Sequence, residues 1–331
     1  MKVAFLIQGL GASSSRYRVL QYLPFLKGQG VDISVHSRQQ GWKDRLKIYN
    51  TLGQFDVLVI QRKLFTPAEF WYIRRKARKI IYDLDDAVMY RSSGSTRSTS
   101  FSRWLRFSYM MKRADAVIAG NEFLRSEVLR FNDRVVIIPT TIDLSHYSEK
   151  ERADQGNLVT IGWLGSSSTL KYLKPVIPAI EKIHQRHPEV QLKIVCDSFL
   201  EDLRVPLIKK RWRSEDEEAD LKSFDIGIMP LEDDLWSRGK CALKILQYYG
   251  VGLPVVCSPV GINREIVKDG VNGFWARDEK EWEEKLEALI EDRDLRRQMG
   301  IKGRGTVEQD YSLEVNAPRL LSVMKEVAEK G

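Results

Sequence analysis

The 331-residue sequence has no hydrophobic run long enough to cross a membrane or to form the core of a secretory signal. Its N-terminal apolar run, residues 3–7, is far too short for either role and is typical of a buried strand. From this absence we expect a cytoplasmic protein.

Cysteine and histidine are also scarce. The three cysteines, Cys196, Cys241 and Cys257, lie far apart and include no CxxC pair. They are therefore predicted to be buried thiols, as in a reducing cytosol, and neither disulfide partners nor zinc ligands. The four histidines have no metal-ligand spacing, and no Ser-His-Asp order or P-loop is present.

Acidic residues are scarce only in the first half of the chain. Residues 1–150 hold 25 Lys and Arg against 13 Asp and Glu, whereas residues 151–331 hold 28 against 32. The first half is thus expected to meet an anionic partner: a membrane surface, a phosphorylated acceptor or nucleic acid. Nucleic acid is the least favoured of these, because zinc-finger, RNP-type and basic-zipper patterns are missing.

Short apolar, β-branched runs alternate with helical patterns along the chain, which predicts parallel sheets covered on both faces. Helices are predicted over residues 16–27, 172–186 and 279–291. The predicted strands form two series: 3–8, 32–36, 55–60, 79–83, 116–119 and 135–138, then 158–164, 192–196, 224–229, 254–258 and 273–276. Because the series meet in the polar stretch 148–156, we predict an α/β protein with two Rossmann-like domains facing across a cleft. The Ser-, Thr- and Gly-rich segment 92–102 predicts a mobile loop.

The most informative stretch, residues 224–273, reads FDIGIMPLEDDLWSRGKCALKILQYYGVGLPVVCSPVGINREIVKDGVNG. We predict a helix from near Gly239 that carries Lys240, Lys244 and Gln247 on one face. Gly239 lets another group approach the helix start closely. Two lysines at a helix N-terminus indicate a diphosphate site, although a solvated helix face would have the same pattern.

This stretch resembles the C-terminal domain of the family-4 glycosyltransferases of the GT-B fold. Residues 161–173, IGWLGSSSTLKYL, and the opening QGLGASSSRYRVLQYLPFLKGQG are similar to the same enzymes. The resemblance implies a GT-B architecture, a nucleotide-diphospho-sugar donor, transfer with retention of the anomeric configuration, and no metal or other cofactor. It also implies an acceptor-side domain over residues 1–150, a donor-binding domain over 151–310, and a helix over 311–331 that returns to the first domain.

The sequence departs from that family at its glutamate pair. The first glutamate, which contacts the donor sugar, aligns with Gly239, and the second, which contacts the ribose, aligns with Gln247. An arginine common near the first strand of the second domain appears as Trp163, which leaves more of the phosphate contact to the lysines. Glu265, after the glycine turn at Gly261, matches a family glutamate and is expected to face the donor.

The loop after the first predicted strand contains Gly9 and Gly11. It resembles the glycine loop of the family, whose backbone N–H groups approach phosphate or acceptor, although such a pair also marks ordinary tight turns. Arg16 and Arg18 would then point toward the mouth of the cleft, if they are not simply solvated.

Three aspartates, Asp83, Asp85 and Asp86, follow a predicted strand, where open α/β sheets place ligands. We expect Asp85 and Asp86 to contact hydroxyls of the acceptor or the sugar. Turn-forming aspartates paired with nearby arginines are an open alternative. Residues 83–85 also match the short DxD metal element of another glycosyltransferase fold, but the resemblance favours a metal-independent site.

The basic segment from Arg62 to Arg113 holds thirteen Lys and Arg against four acidic residues. Within it, residues 101–113 predict an amphipathic helix with Arg103, Arg106 and Arg113 opposite an apolar side. That side is expected to carry Phe101, Trp104, Leu105 and Met111. Such a helix suits anionic lipid or a polyprenyl-phosphate acceptor, whereas one that only covers the domain core would look the same.

The function predicted from these features is glycosyl transfer from a UDP- or GDP-sugar to a glycan or lipid-linked acceptor, in cell-envelope polysaccharide or glycoconjugate synthesis. The enzyme would be cytoplasmic or peripheral at the inner membrane face. A sugar-nucleotide epimerase on the same scaffold and a non-catalytic nucleotide-sugar or glycan-binding protein remain as alternatives.

Overall fold

The computed structural model describes residues 1–37, 41–150 and 158–329. The chain forms two compact units: unit 1 contains Met1–Thr141, Asp234–Cys241 and Leu313–Gly331, and unit 2 contains Ile142–Asp233 and Ala242–Ser312. The polar junction predicted at 148–156 lies outside the described residues from position 151 onward.

Unit 1 is built on a six-stranded parallel sheet with strand order β2-β1-β3-β4-β5-β6. Its strands are β1 (Lys2–Ile7), β2 (Asp32–Ser37), β3 (Val57–Gln61), β4 (Lys79–Leu84), β5 (Ala116–Ala119) and β6 (Val135–Ile137). In register, Val3 of β1 lies opposite both Ile33 and Val57. The continuous apolar runs of β3 and β5 are buried, as expected for parallel strands covered on both faces.

Unit 2 has a second six-stranded parallel sheet, with strand order β12-β11-β10-β7-β8-β9. Its strands are β7 (Val159–Leu164), β8 (Val190–Cys196), β9 (Leu207–Arg211), β10 (Ile226–Met229), β11 (Val255–Cys257) and β12 (Gly273–Trp275). The edge strand β9 was not predicted, because its sequence LIKKR is largely charged, as edge strands commonly are.

Fifteen α-helices connect and cover these strands within the described residues. They are α1 (Ser13–Arg18), α2 (Leu23–Gly28), α3 (Trp42–Thr51), α4 (Pro67–Lys76), α5 (Phe101–Met111), α6 (Glu122–Leu129), α7 (Ser167–Leu170), α8 (Ile177–Arg186), α9 (Glu217–Lys222), α10 (Leu235–Arg238), α11 (Leu243–Gly250), α12 (Asn263–Ile266), α13 (Glu279–Glu291), α14 (Arg293–Thr306) and α15 (Leu313–Glu329). None of the described helices is long and apolar enough to cross a membrane.

Two of the predicted helices differ from those in the structure. The helix expected over 16–27 is divided into α1 and α2 by the 3₁₀ turn Leu20–Tyr22, with Pro24 in the first turn of α2. The helix expected over 172–186 begins only at Ile177, again with a proline, Pro178, in its first turn. Both shifts follow from proline, which fits the first turn of a helix better than its interior.

The sheet of unit 1 is packed on both faces. One face is covered mainly by α3, α4, α5 and α6, and the other by α2 and α15. Helix α15 contributes apolar residues such as Leu320 and Met324 to the same buried cluster as Val3 and Phe5 of β1. The last helix therefore packs on the N-terminal sheet, as predicted.

Candidate functional site

Lys244 lies at the carboxyl end of β7 in unit 2, the edge at which open α/β sheets bind ligands. It projects from the first turn of α11, with its Nζ 4.2 Å from the centre of the buried Trp163 ring and 3.5 Å from Thr169 Oγ1. A Cβ at Gly165 would lie 2.3 Å from the Trp163 ring and 2.8 Å from Lys244 Nζ. Gly165 therefore leaves room for both side chains, and the ammonium is held over an aromatic face.

The prediction of one helix face carrying Lys240, Lys244 and Gln247 is wrong. Helix α10 ends at Arg238, and α11 begins at Leu243 after Ala242, whose φ of 53° is left-handed. Lys240 thus lies in the turn between two helices. Gln247 does lie on α11, where its side chain is buried at 1% exposure.

The turn after β11 carries two more of the residues predicted on the donor side, Gly261 and Glu265. Gly261 has a φ of 54°, a conformation that favours glycine, and it leads into the short helix α12. Asn263 Nδ2 donates to Ser258 O at 3.0 Å, which fixes the turn. Glu265, on α12, is exposed. Lys244, Gly261 and Glu265 therefore follow strands of one sheet at its carboxyl edge.

Gly239 lies in the segment of unit 1 that docks on the carboxyl ends of β4 and β5. Asn121 Nδ2 donates to Lys240 O at 2.9 Å, and Cys241 Sγ donates to Asp85 O at 3.2 Å. A Cβ at Gly239 would lie 2.4 Å from Ala87 Cβ and 2.8 Å from Ala87 N. The group that approaches Gly239 closely is therefore Ala87, and packing alone requires glycine at this position.

Burial raises the pKa of the Cys241 thiol to about 12. This cysteine therefore remains a neutral hydrogen-bond donor at neutral pH. Cys196 and Cys257 are likewise buried and free, as the sequence predicted.

The three aspartates at the carboxyl end of β4 are paired with arginines of unit 1. Arg18 Nε donates to Asp83 Oδ2 at 3.1 Å, and its Nη1 donates to Ile138 O at 2.9 Å. Arg62 is paired with Asp86, and its Nε lies 3.6 Å from Asp85 Oδ1. The alternative that Arg18 is simply solvated is wrong, because the side chain is buried and its guanidinium holds Asp83.

Burial raises the pKa of the Asp83 carboxyl, and the Arg18 guanidinium opposes that rise. Arg62 has a φ of 61°, a left-handed conformation that is uncommon for residues other than glycine. Pairing of these aspartates with nearby arginines was the open alternative from the sequence, but no motif indicated Arg62, since Asp85 and Asp86 follow the neighbouring strand β4.

The loop between β1 and α1 has open space around its two glycines. Within the described structure, no atom beyond the neighbouring residues lies within 4 Å of a Cβ built at Gly9 or Gly11, and neither has a positive φ. Neither packing nor backbone conformation therefore requires glycine here. Arg16, on α1, lies with its guanidinium carbon 5.0 Å from the Tyr17 ring centre.

Helix α5 has a different apolar face from the one predicted. Phe107, Met110 and Met111 are buried in the core of unit 1, whereas Phe101 and Leu105 are 83% and 47% exposed. The predicted apolar side is therefore wrong for these last two residues. The helix covers the core and also leaves apolar side chains at the surface.

Trp104 of α5 packs inward, in stacked geometry on Tyr90 and Phe107. Arg103 Nη1 donates to Tyr90 O at 2.6 Å, and the half-buried Arg106 lines a groove of unit 1. The groove also contains Trp42 and Trp71, which no sequence motif indicated. Their only sequence signal is an arginine three or four positions later on the same helix, Arg45 after Trp42 and Arg74 and Arg75 after Trp71.

Comparison with protein families gives one match. Residues 156–292 match the model of the family Glycosyl transferases group 1. These residues therefore form a glycosyltransferase group 1 domain, which confirms the predicted enzyme class. No curated protein sequence matches the chain.

Solved structures with similar folds include three enzymes of low sequence identity. Sucrose-phosphate synthase from Thermosynechococcus elongatus has a TM-score of 0.79 at 14% identity, covering 98% of each chain. Anabaena HepE in complex with UDP and glucose has a TM-score of 0.73 at 17% identity, covering 98% of this chain and 100% of that one. A glycosyltransferase from Rickettsia africae has a TM-score of 0.72 at 14% identity, covering 100% and 99%. These likenesses confirm the predicted GT-B fold.

Proposed function

Given the group 1 glycosyltransferase domain at residues 156–292, we propose that the chain transfers a sugar from a UDP- or GDP-sugar to a glycan or lipid-linked acceptor. We propose retention of the anomeric configuration and a place in cell-envelope polysaccharide or glycoconjugate synthesis. The observation that carries the proposal is Lys244, held at the carboxyl edge of the sheet inside that domain. The similar structure of HepE is a complex with UDP and glucose, which supports a UDP-sugar among the donors.

Lys244 would stabilise the charge that develops on the leaving diphosphate. Its Nζ is already oriented by Trp163 and Thr169, so little reorganisation is needed when the donor binds. Glu265, Gly261 and the buried Gln247 are proposed to contact the rest of the donor. Lys240, predicted with Lys244 to bind the diphosphate, is tested in the same way.

The open loop at Gly9 and Gly11 is proposed to contribute to donor binding, because its backbone N–H groups would allow phosphate or acceptor to approach closely. Asp85 and Asp86 are proposed to accept hydrogen bonds from sugar or acceptor hydroxyls. Arg16 and Arg103 would lie near an anionic acceptor. Peripheral association with an anionic membrane is part of the proposal, supported by the exposed Phe101 and Leu105.

The test is a comparison of Lys244→Ala and Lys240→Ala with Lys302→Ala, which changes an exposed lysine of α14. The first two variants should lose at least tenfold in kcat/KM for the donor, about 1.4 kcal/mol of transition-state stabilisation, while Lys302→Ala should not. Wild-type kinetics in a folded Lys244→Ala protein would contradict the proposed contact between Lys244 and the donor diphosphate.

Product analysis separates transfer from epimerisation. A transferase should release nucleoside diphosphate in proportion to glycosylated acceptor, whereas an epimerase would convert the UDP-sugar without any acceptor. Retention is tested by the anomeric configuration of the new glycosidic bond, determined by NMR.

A further inference from the structure

A groove on unit 1, separate from the strand ends at Asp83 and Asp85, has the size of a ligand site. Its volume is about 790 Å³, and it is lined by α3, α4, α5 and the segment after β3. A smaller adjoining cavity shares Arg45 and Lys63 with it and reaches the ends of β1 and β2 at Ile7 and Ser37. The two cavities therefore lead from the carboxyl edge of the sheet outward to α5.

Two tryptophans line this groove with half of their surface exposed. Trp42 on α3 and Trp71 on α4 are each 50% exposed, although tryptophan usually buries most of its large apolar surface. The guanidinium carbon of Arg45 lies 5.2 Å from the Trp42 ring centre, and that of Arg75 lies 4.9 Å from the Trp71 ring centre. Exposed, flat indole rings are suited to packing against the C–H faces of pyranose rings.

The charge of the groove is positive. Its one acidic residue, Glu69, is neutralised by Arg45 Nη1 at 2.6 Å and accepts a further hydrogen bond from Tyr49 Oη at 2.8 Å. Lys63 and Arg106 add two more cations to the lining. Across the described part of the chain, the half-buried Arg106 forms no hydrogen bond or ion pair, and a guanidinium there can bind a carboxylate or phosphate with two parallel hydrogen bonds.

We propose that this groove binds an anionic oligosaccharide portion of the acceptor, with sugar rings on Trp42 and Trp71 and an acidic group on Arg106. This inference rests on the proposed glycosyltransferase function and specifies its acceptor class. A concave lining fits a glycan chain better than a bilayer, which needs protruding apolar side chains such as Phe101.

The experiment measures the binding of immobilised oligosaccharides to the full-length protein. The probes are hexasaccharides of galacturonate and of chondroitin sulfate, with maltohexaose as the neutral control. The wild type should bind at least one anionic hexasaccharide at least tenfold more tightly than maltohexaose, and the preference should weaken as salt is added.

The variants Trp42→Ala, Trp71→Ala and Arg106→Gln should each weaken that binding at least fivefold. Their matched controls are Phe101→Ala, an exposed aromatic outside the groove lining, and Arg113→Gln, an exposed arginine just after α5. The controls should bind as the wild type does.

Donor hydrolysis and UDP binding, measured on the same variants, should be unchanged. Absence of donor turnover in the wild-type protein would count against the glycosyltransferase proposal. It would not contradict the groove proposal, because glycan binding is measured separately. The groove proposal is overturned if neither anionic hexasaccharide binds or if the three variants bind normally. It is also overturned if the three variants bind the anionic hexasaccharides as the wild type does but lose binding to anionic vesicles or to oligo(dT).

Discussion

At the scale of single residues, Gly239 shows how a departure from a family pattern can be fixed by packing. The position that carries a sugar-contacting glutamate in the family that the sequence resembles lies here against Ala87, with no room for a Cβ. A glutamate could therefore not be restored without moving the loop after β4. In the proposed transferase a sugar contact would have to come from elsewhere, and Asp85 and Asp86, just before Ala87, are the candidates predicted from the sequence.

The tight contact predicts a specific rescue. Gly239→Ala should lower the free energy of unfolding by about 1–3 kcal/mol, because the new methyl group collides with Ala87 Cβ. Adding Ala87→Gly should recover part of that loss, since it removes Ala87 Cβ but leaves the backbone N of residue 87, 2.8 Å from the new methyl group. Urea unfolding of the two single variants and the double variant measures the coupling; strictly additive effects would contradict the contact.

The ion pairs of the aspartates lead to a prediction about metal. Asp83 is held by Arg18, and Asp85 and Asp86 lie beside Arg62, so an ion at this element would compete with two guanidinium groups. We expect donor turnover to persist in EDTA. Chelation that abolishes turnover, followed by recovery with Mg²⁺ or Mn²⁺, would instead establish the DxD role. The variant Asp83→Asn, assayed in parallel for turnover and folding, distinguishes two effects. Loss of a metal ligand would lower turnover in a folded protein, whereas loss of the buried ion pair with Arg18 would lower stability.

At the scale of elements, most strands were predictable because they are short apolar runs, and central strands such as β3 and β5 are buried on both faces. The exception, β9, is an edge strand whose exposed lysines hide the pattern. Helix boundaries were harder to predict. The break before α11 depends on the left-handed Ala242, and alanine gives no signal for that conformation.

The contacts within the candidate site could not be predicted from the sequence, because they join residues that lie far apart along the chain. Arg18 lies on α1, after β1, and Asp83 lies in β4, 65 residues later, and only the strand order brings them together. The closeness of Gly239 and Ala87 likewise depends on a segment that joins unit 1 late in the chain. Motif spacing identified the residues, but it could not identify these partners.

Helix α5 has both exposed and buried apolar residues. We expect the exposed ones to affect membrane binding and the buried ones to affect stability. Phe101→Ser combined with Leu105→Ser should reduce flotation with anionic vesicles at low salt and leave the unfolding midpoint unchanged, since both side chains are exposed. Phe107→Ala should do the reverse and cost about 3–5 kcal/mol of stability, because Phe107 is buried. Absence of wild-type flotation with anionic vesicles would rule out the membrane role.

At the scale of the whole molecule, unit 1 is assembled from three separate parts of the chain. Its last part, α15, covers one face of the sheet with a row of buried apolar residues, including Leu320 and Met324. Burying one such side chain contributes roughly 1.5–3 kcal/mol, so the row is comparable with the total stability of a domain. The stability of the N-terminal sheet therefore depends on the C-terminal helix.

This dependence can be measured with two glutamine substitutions on α15. Met324→Gln should lower the free energy of unfolding by about 2–4 kcal/mol, because Met324 is fully buried. Lys325→Gln, at the exposed neighbouring position, should have little effect. Hydrogen exchange should locate the loss of protection in β1 and β3. Faster exchange confined to the strands of unit 2 would contradict the packing.

The late position of α15 also has a consequence during translation. Every strand of the first sheet has been synthesised once residue 137 is added, but α15 begins only at residue 313. At bacterial or eukaryotic elongation rates of roughly 5–20 residues per second, the nascent sheet waits about 10–35 s for its covering helix. Throughout that interval one apolar face is open to other nascent chains, so synthesis of this protein should rely on a chaperone that shields it until the final helix emerges.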